Sequence, residues 1–113
     1  ERLRTAVHAF IRSECDEAPM RIALDDAAPL YRDAPEAQEA KAAGNRIFQA
    51  FMREALPDAP DAARALACDL ITTTLATAGK AFSESERTPA EIDAYSAAMG
   101  DMFCAYLERL AHN

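Results

Sequence analysis

Apolar residues recur at every third or fourth position in each segment of this 113-residue chain, and no other feature constrains its fold as strongly. One face of an α-helix has that period, whereas a half-buried strand alternates at every second position. In the first segment the pattern is formed by Leu3, Val7, Phe10 and Ile11. Alanine, the best helix former, is the most frequent residue, and only 3 glycines occur. The sequence therefore predicts a single all-α domain with one core.

Prolines and capping signals divide the chain into about five expected helices. We expect the first over residues 1–16 and the second over 18–32, with a kink or break near Ala28 because Pro29 lacks a backbone donor. The third, over 33–57, begins at the sequence DAPE, where Asp33 and Glu36 have the spacing of a capping box. Three helices thus precede residue 58.

The last two helices are expected to lie antiparallel. The fourth begins at the similar sequence DAPD, residues 58–61, and continues to about Phe82. The fifth begins at TPAE, residues 88–91, which combines a capping Thr88, a Pro89 at the first helical position and a Glu91 at the third. Only the short polar loop 83–87 separates these helices, so the chain must reverse direction there.

The fourth expected helix is apolar around about 200° of its circumference, more than one contact surface requires. It is either the central helix of a monomeric bundle or a helix that packs on its own core and on a partner subunit. The fifth carries the aromatic and methionine residues that are enriched at interfaces. The candidate residues of a homodimer interface are Ala67, Leu70, Ile71, Thr74, Ala78, Tyr95, Met99, Met102, Phe103 and Tyr106. Core packing would suit Tyr95 and Tyr106 equally.

Charge and cysteine content exclude several functions. The formal net charge is −7 with acids and bases interspersed, so phosphate backbones would repel the domain and direct nucleic-acid binding is not expected. The cysteines, at 15, 68 and 104, are too widely spaced for a disulfide framework or a Cys-x-x-Cys metal pair, which fits a reducing cytoplasm. No apolar run approaches the roughly 20 residues that a membrane span needs.

No set of residues has the composition of an active site. His8 and Cys15 share a helix face, but about 10 Å of helix axis separates them, too far for one metal ion. Glu-x-x-His pairs and glycine-rich phosphate loops do not occur. We therefore expect no enzymatic activity, no cofactor and no metal, and a solvated His8.

Several residues suit either the core or an apolar ligand cavity. Glu14 lies near the centre of the first apolar face, where a carboxylate is costly unless it is paired. It turns to water or pairs with an arginine, or else it is a polar group inside a cavity. Methionine and aromatic side chains fill cores and also line pockets with few polar anchors. The candidate ligand-binding residues are Phe10, Glu14, Tyr31, Phe48, Phe51 and Met52.

Three stretches resemble the C-terminal regulatory domain of tetracycline-repressor-like (TetR family) transcription regulators. They are FIRSECDE at 10–17 with AAPLYRD at 27–33, the small-residue-rich helix at 62–82, and MGDMFCAYLERL at 99–110. The resemblance covers nearly the whole chain and rests on pattern rather than on one diagnostic motif. It implies a cytoplasmic homodimer in which the fourth and fifth helices form a four-helix interface and a small apolar or amphipathic effector is bound.

The DNA-reading helix-turn-helix of that family has no counterpart in this sequence. The helical pattern starts at Glu1 without a capping residue, so we expect a helix-turn-helix domain to precede it and DNA to be contacted only through that domain. The alternative function is a helical dimerisation or protein-interaction domain that takes no ligand. A cavity lined by aromatic and methionine residues would favour the first function, and a solid core the second.

Overall fold

The computed structural model describes residues 2–23 and 35–112. These residues form four α-helices: α1 (Arg2–Ala23), α2 (Pro35–Ala55), α3 (Asp61–Ser83) and α4 (Pro89–Ala111). No strand occurs within these two ranges. The predicted all-α fold is confirmed, with four helices in the described ranges where about five were expected for the whole chain.

Helix α1 is longer than the sequence indicated, because it continues through the expected boundary between residues 16 and 18. It contains Pro19, which cannot donate the usual backbone hydrogen bond. Buried Ala18 continues the line of buried Leu3, Val7 and Ile11 on the same face of the helix. Packing of this face outweighs the missing hydrogen bond, so the predicted break was wrong. The expected kink near Ala28 and residue Tyr31 lie outside the described residues.

The start of α4 confirms the capping box expected there. The Thr88 hydroxyl accepts a hydrogen bond from the Glu91 amide at 3.1 Å, and the Thr88 amide donates to the Glu91 carboxylate at 2.8 Å. The start of α3 differs from expectation. Its N-cap is Pro60, which has no side-chain acceptor, rather than Asp58.

An arginine stabilises the turn between α2 and α3 where no cap does. One guanidinium nitrogen of Arg64 donates to the carbonyls of Leu56 at 2.9 Å and Ala59 at 2.8 Å, and another pairs with Asp61. These carbonyls lie where the chain leaves α2, so Arg64 satisfies acceptors that the helix itself cannot. We call this set of contacts the Arg64 clasp.

Helix α1 packs against both α3 and α4, and the three helices form the core. The buried residues of this core are Leu3, Val7 and Ile11 from α1, Ala67, Cys68, Ile71, Leu75 and Phe82 from α3, and Met99, Phe103 and Leu107 from α4. Helix α2 packs chiefly on α3 and adds buried Met52, with Leu56 just after it. The domain is thus a three-helix platform with α2 on one side.

Helices α3 and α4 run antiparallel, as expected. Phe82 at the end of α3 stacks on Tyr95 near the start of α4, with ring centroids 4.0 Å apart. At the opposite end, Ala63 near the start of α3 lines the same cavity as Leu110 near the end of α4. Arg87 in the connecting loop lies over the other face of Phe82 and donates to its carbonyl at 2.8 Å.

Helix α1 approaches α3 closely at a glycine. A Cβ on Gly79 would lie 3.1 Å from Phe10, 3.3 Å from Ile11 and 3.4 Å from Glu14. The first two distances are shorter than ordinary van der Waals contact, so only glycine fits this crossing without movement of its neighbours. On the other side, α1 is tied to α4 by polar pairs between Arg4 and Asp101 and, at 2.7 Å, between His8 and Asp93.

Candidate functional site

A groove of about 530 Å³ lies between α2 and α3. It is lined by Asn45, Gln49, Met52 and Arg53 from α2, and by Asp61, Arg64, Ala65, Cys68, Asp69 and Thr72 from α3. The two helices run in opposite directions, so Arg53 lies towards the turn and Asn45 towards the open end. We refer to this feature as the α2–α3 groove. Its size suits a small molecule.

The floor of the groove is apolar. Met52 and Cys68 are buried there, one from each helix, beside Ala65. Burial raises the pKa of the Cys68 thiol, and the neighbouring Asp69 carboxylate raises this pKa further. A thiol with a raised pKa stays protonated at neutral pH and is a poor nucleophile. Cys68 is therefore a wall of the groove rather than a reactive group.

The α2 wall carries hydrogen-bonding side chains at regular intervals. Asn45, Gln49 and Arg53 are four residues apart, so they share one face of the helix. All three are exposed. Among the described residues, none of their side chains has a hydrogen-bonding or ionic partner. They are available to a molecule in the groove.

The α3 wall is polar in a different way. The Thr72 hydroxyl donates to the Cys68 carbonyl at 2.8 Å, which leaves the lone pairs of its oxygen as acceptors. Asp69 is exposed and forms no ion pair with any described residue. The Arg64 clasp closes the groove at the turn and neutralises the charge of Asp61.

The ligand residues expected from sequence occupy two separate places. Phe48 and Phe51 have ring centroids 5.9 Å apart and pack against the core beside the buried Met52, which also lines the groove. Phe10 and Glu14 lie instead at the Gly79 crossing. The Arg2 guanidinium lies 5.3 Å from the Phe51 ring, and eight residues of helix, about 12 Å, separate Arg2 from Phe10. Of the described candidates, Met52 alone lines the groove.

The polar lining residues were not singled out from the sequence. In a sequence, hydrogen-bonding residues on an exposed helix face look like an ordinary solvated surface. The four-residue spacing of Asn45, Gln49 and Arg53 was the available signal. Its meaning depends on α3 lying opposite, which only the fold shows.

A second feature is an exposed apolar face formed by α3 and α4, which we call the α3–α4 face. Leu66 is 62% exposed, Leu70 49% and Met102 53%. Thr74 and Ala78 on α3 and Tyr95 and Tyr106 on α4 are half-buried. The remaining interface candidates, Ala67, Ile71, Met99 and Phe103, are buried within the single chain and belong to its core.

Neither a metal site nor a membrane span is found in the described ranges. No group of three or more histidine, cysteine or acidic side chains there could hold a metal ion. None of the four helices combines the length and hydropathy needed to cross a bilayer.

Comparison with known proteins agrees with the helical architecture. A family model described as the tetracycline repressor-like C-terminal domain matches residues 1–110, nearly the whole chain. No curated protein sequence matches it. The chain therefore belongs to the family of tetracycline repressor-like C-terminal domains.

Proposed function

We propose that this domain is the dimerising and effector-sensing part of a transcription repressor, with the α3–α4 face pairing two copies and the α2–α3 groove holding a small molecule. Family membership supports a regulatory role of this general kind. The helix-turn-helix domain expected ahead of Glu1 would contact DNA, which the net charge of −7 makes this domain unsuited to do.

The observation that carries the proposal is the exposure of large apolar side chains on the two helices that close the fold. Leu66, Leu70 and Met102 are each about half exposed or more, while the same helices bury Ile71 and Phe103 against α1. Two apolar surfaces on one helix are expected when it packs on its own core and on a partner. A two-fold interface places this face against its own copy.

The proposed contact residues follow from exposure. Leu70 and Met102 lie at the centre, and Leu66 extends the set found from sequence. Thr74, Ala78, Tyr95 and Tyr106 flank them. Small residues such as Thr74 and Ala78 allow close approach of two helices, and tyrosines supply area with a polar tip. Ala67, Ile71, Met99 and Phe103 support this surface from the core.

Light scattering of the purified domain tests the pairing. Wild type is expected at twice the chain mass at high micromolar concentration, and Leu70→Asp as a monomer, because a carboxylate at the centre of an apolar interface loses its hydration. Ile47→Asp is the matched control, since Ile47 is 72% exposed but lies on α2. A monomeric wild type would contradict the proposal, as would an Ile47→Asp protein that dissociates equally.

Effector sensing is supported by the groove, which joins an apolar floor to polar side chains that have no partner in the described part of the chain. Such a lining fits an amphipathic molecule. Its occupancy alters regulation only if the ligand prefers one arrangement of the domain over another. Native mass spectrometry of the dimer is expected to show a co-purified small molecule, lost when Gln49 is replaced by Trp to fill the groove. A dimer that binds no molecule would favour the alternative, a dimerisation domain without a ligand.

A further inference from the structure

The α2–α3 groove contains two opposite charges that do not neutralise each other. Arg53 on α2 and Asp69 on α3 both line it, yet neither forms an ion pair with any described residue. The other lining charges, Arg64 and Asp61, are paired in the clasp. The groove therefore offers one positive group near the turn and one negative group on the opposite wall.

A ligand with a single charge would satisfy only one of these groups. Its binding would leave the other beside an apolar floor, with less water and no counter-charge, which is unfavourable. A ligand with two opposite charges would pair with both, and charge-assisted hydrogen bonds are stronger than neutral ones. Between them, Met52, Cys68 and Ala65 suit a short hydrocarbon chain.

We propose that the α2–α3 groove binds a small zwitterion whose carboxylate pairs with Arg53 and whose ammonium pairs with Asp69. The amides of Asn45 and Gln49 and the Thr72 oxygen supply further hydrogen bonds to these end groups. This inference rests on the proposed effector-sensing function and specifies the chemical class of the effector.

Calorimetric titration with a matched set of probes tests the charge requirement. The zwitterions are 4-aminobutanoate, 6-aminohexanoate and 8-aminooctanoate, which vary the separation of the charges. The single-charge controls are hexanoate and hexylamine. At least one zwitterion is expected to bind at least about tenfold more tightly than either control, and more weakly as salt rises. Equal binding of hexanoate or hexylamine would overturn the proposal.

Neutral variants assign each charge to its partner. The Arg53→Gln protein is expected to bind the zwitterion no more tightly than hexylamine. The Asp69→Asn protein is expected to bind the zwitterion no more tightly than hexanoate. Matched controls are Arg12→Gln and Asp16→Asn, because both residues are exposed on α1 and line no part of the groove. Controls that weaken binding as much as the groove variants would contradict the assignment.

A neutral apolar probe distinguishes failure of the zwitterion proposal from failure of the proposed effector-sensing function. N-phenyl-1-naphthylamine becomes fluorescent in an apolar pocket and carries no charge. If this probe binds and none of the zwitterions does, the domain has an apolar ligand site and the zwitterion proposal is wrong. If neither class binds the dimer, effector sensing in the groove fails as well. If a zwitterion binds wild type and its binding is lost in both Arg53→Gln and Asp69→Asn, the result supports effector sensing in the groove and the zwitterion proposal.

Discussion

Glu91 is the residue whose ionisation is most directly connected to local structure. The hydrogen bond from the Thr88 amide, followed by that from the Thr88 side chain, holds the pKa of this carboxyl below its ordinary value. A carboxyl with a lowered pKa in the folded state stabilises the fold above its unfolded pKa, and this contribution disappears as the pH falls through the folded pKa. The capping box is therefore an acid-sensitive contact.

We expect the start of α4 to loosen in wild type as the pH falls below the ordinary pKa of a glutamate and through the lowered pKa of Glu91. Glu91→Gln keeps a side-chain acceptor but cannot titrate, so its amide exchange near Thr88 is expected to change less over the same range. Hydrogen exchange of residues 88–92 measures this difference. Equal acid sensitivity in both proteins would show that another group is responsible.

Two buried serines on the platform have opposite hydrogen-bonding states. Ser83 donates to the Lys80 carbonyl at 2.8 Å, whereas the Ser96 hydroxyl has no partner among the described residues. An unsatisfied buried hydroxyl is costly, so Ser96→Ala is expected to raise the free energy of unfolding by about 1 kcal/mol. Ser83→Ala is the control and is expected to lower it by about 1 kcal/mol. Urea titration measures both free energies of unfolding. A lower free energy of unfolding for Ser96→Ala would show that the Ser96 hydroxyl is hydrogen-bonded.

Sequence reasoning at single positions succeeded where a local pattern determines the structure. Thr88, Pro89 and Glu91 lie within four residues of one another, so their capping box is readable without the fold. The DAPD sequence forms no side-chain cap: the N-cap of α3 is Pro60, and the turn is stabilised by Arg64, whose acceptors lie up to eight residues earlier in the chain. A solvated His8 was expected. Its pairing with Asp93, 85 residues away, could not be predicted from the sequence.

At the scale of helices, the closest contact between α1 and α3 depends on Gly79. Leucine there would enter the space of Phe10 and Ile11, and we expect Gly79→Leu to lower the free energy of unfolding by about 1–3 kcal/mol. The control is Gly44, within α2, because a Cβ there has no neighbour within 4 Å. Gly44→Ala is expected to raise this free energy by about 0.5–1 kcal/mol, through helix propensity alone. Urea unfolding of both variants measures this, and a stable Gly79→Leu would show that α1 can shift freely.

Helix boundaries were predictable at three places, whereas the end of α1 and the start of α3 differ from expectation. The end of α2 and the start of α4 coincide with proline or capping signals, and α3 ends where the polar loop 83–87 begins. The expected break before Ala18 was wrong because burial of one face carries α1 past Pro19. A proline signal is local, whereas the burial of a helix face depends on the rest of the fold.

For the whole molecule, the proposed pairing through the α3–α4 face would link stability to concentration. If only the folded chain dimerises, raising the concentration stabilises it by mass action. The melting temperature of wild type is therefore expected to rise between 1 and 100 µM, whereas that of Met102→Glu stays constant. Differential scanning fluorimetry measures both. A melting temperature of wild type that does not change with concentration would contradict the proposed dimer.

The candidate site was less predictable than the fold. Periodicity identifies which residues are apolar, and that sufficed for the all-α class and for Leu70 and Met102 on the α3–α4 face. It does not show which apolar face a given chain buries within itself, so Ala67, Ile71 and Phe103 were grouped with them. The groove depends on side chains from two helices facing each other, so the spacing within α2 alone is not enough to reveal it.

The Arg64 clasp also determines how α2 can move. Because the clasp fixes the turn, a tilt of α2 as a rigid rod takes place about its C-terminal end. Gln49 lies about 9 Å from that end and Pro35 about 30 Å, at 1.5 Å of rise per residue. A displacement of about 1 Å at Gln49 thus becomes about 3 Å at Pro35. Helix α2 therefore has a short arm over the groove and a long arm beyond it, so any tilt that is small beside the groove is larger at its N-terminal end.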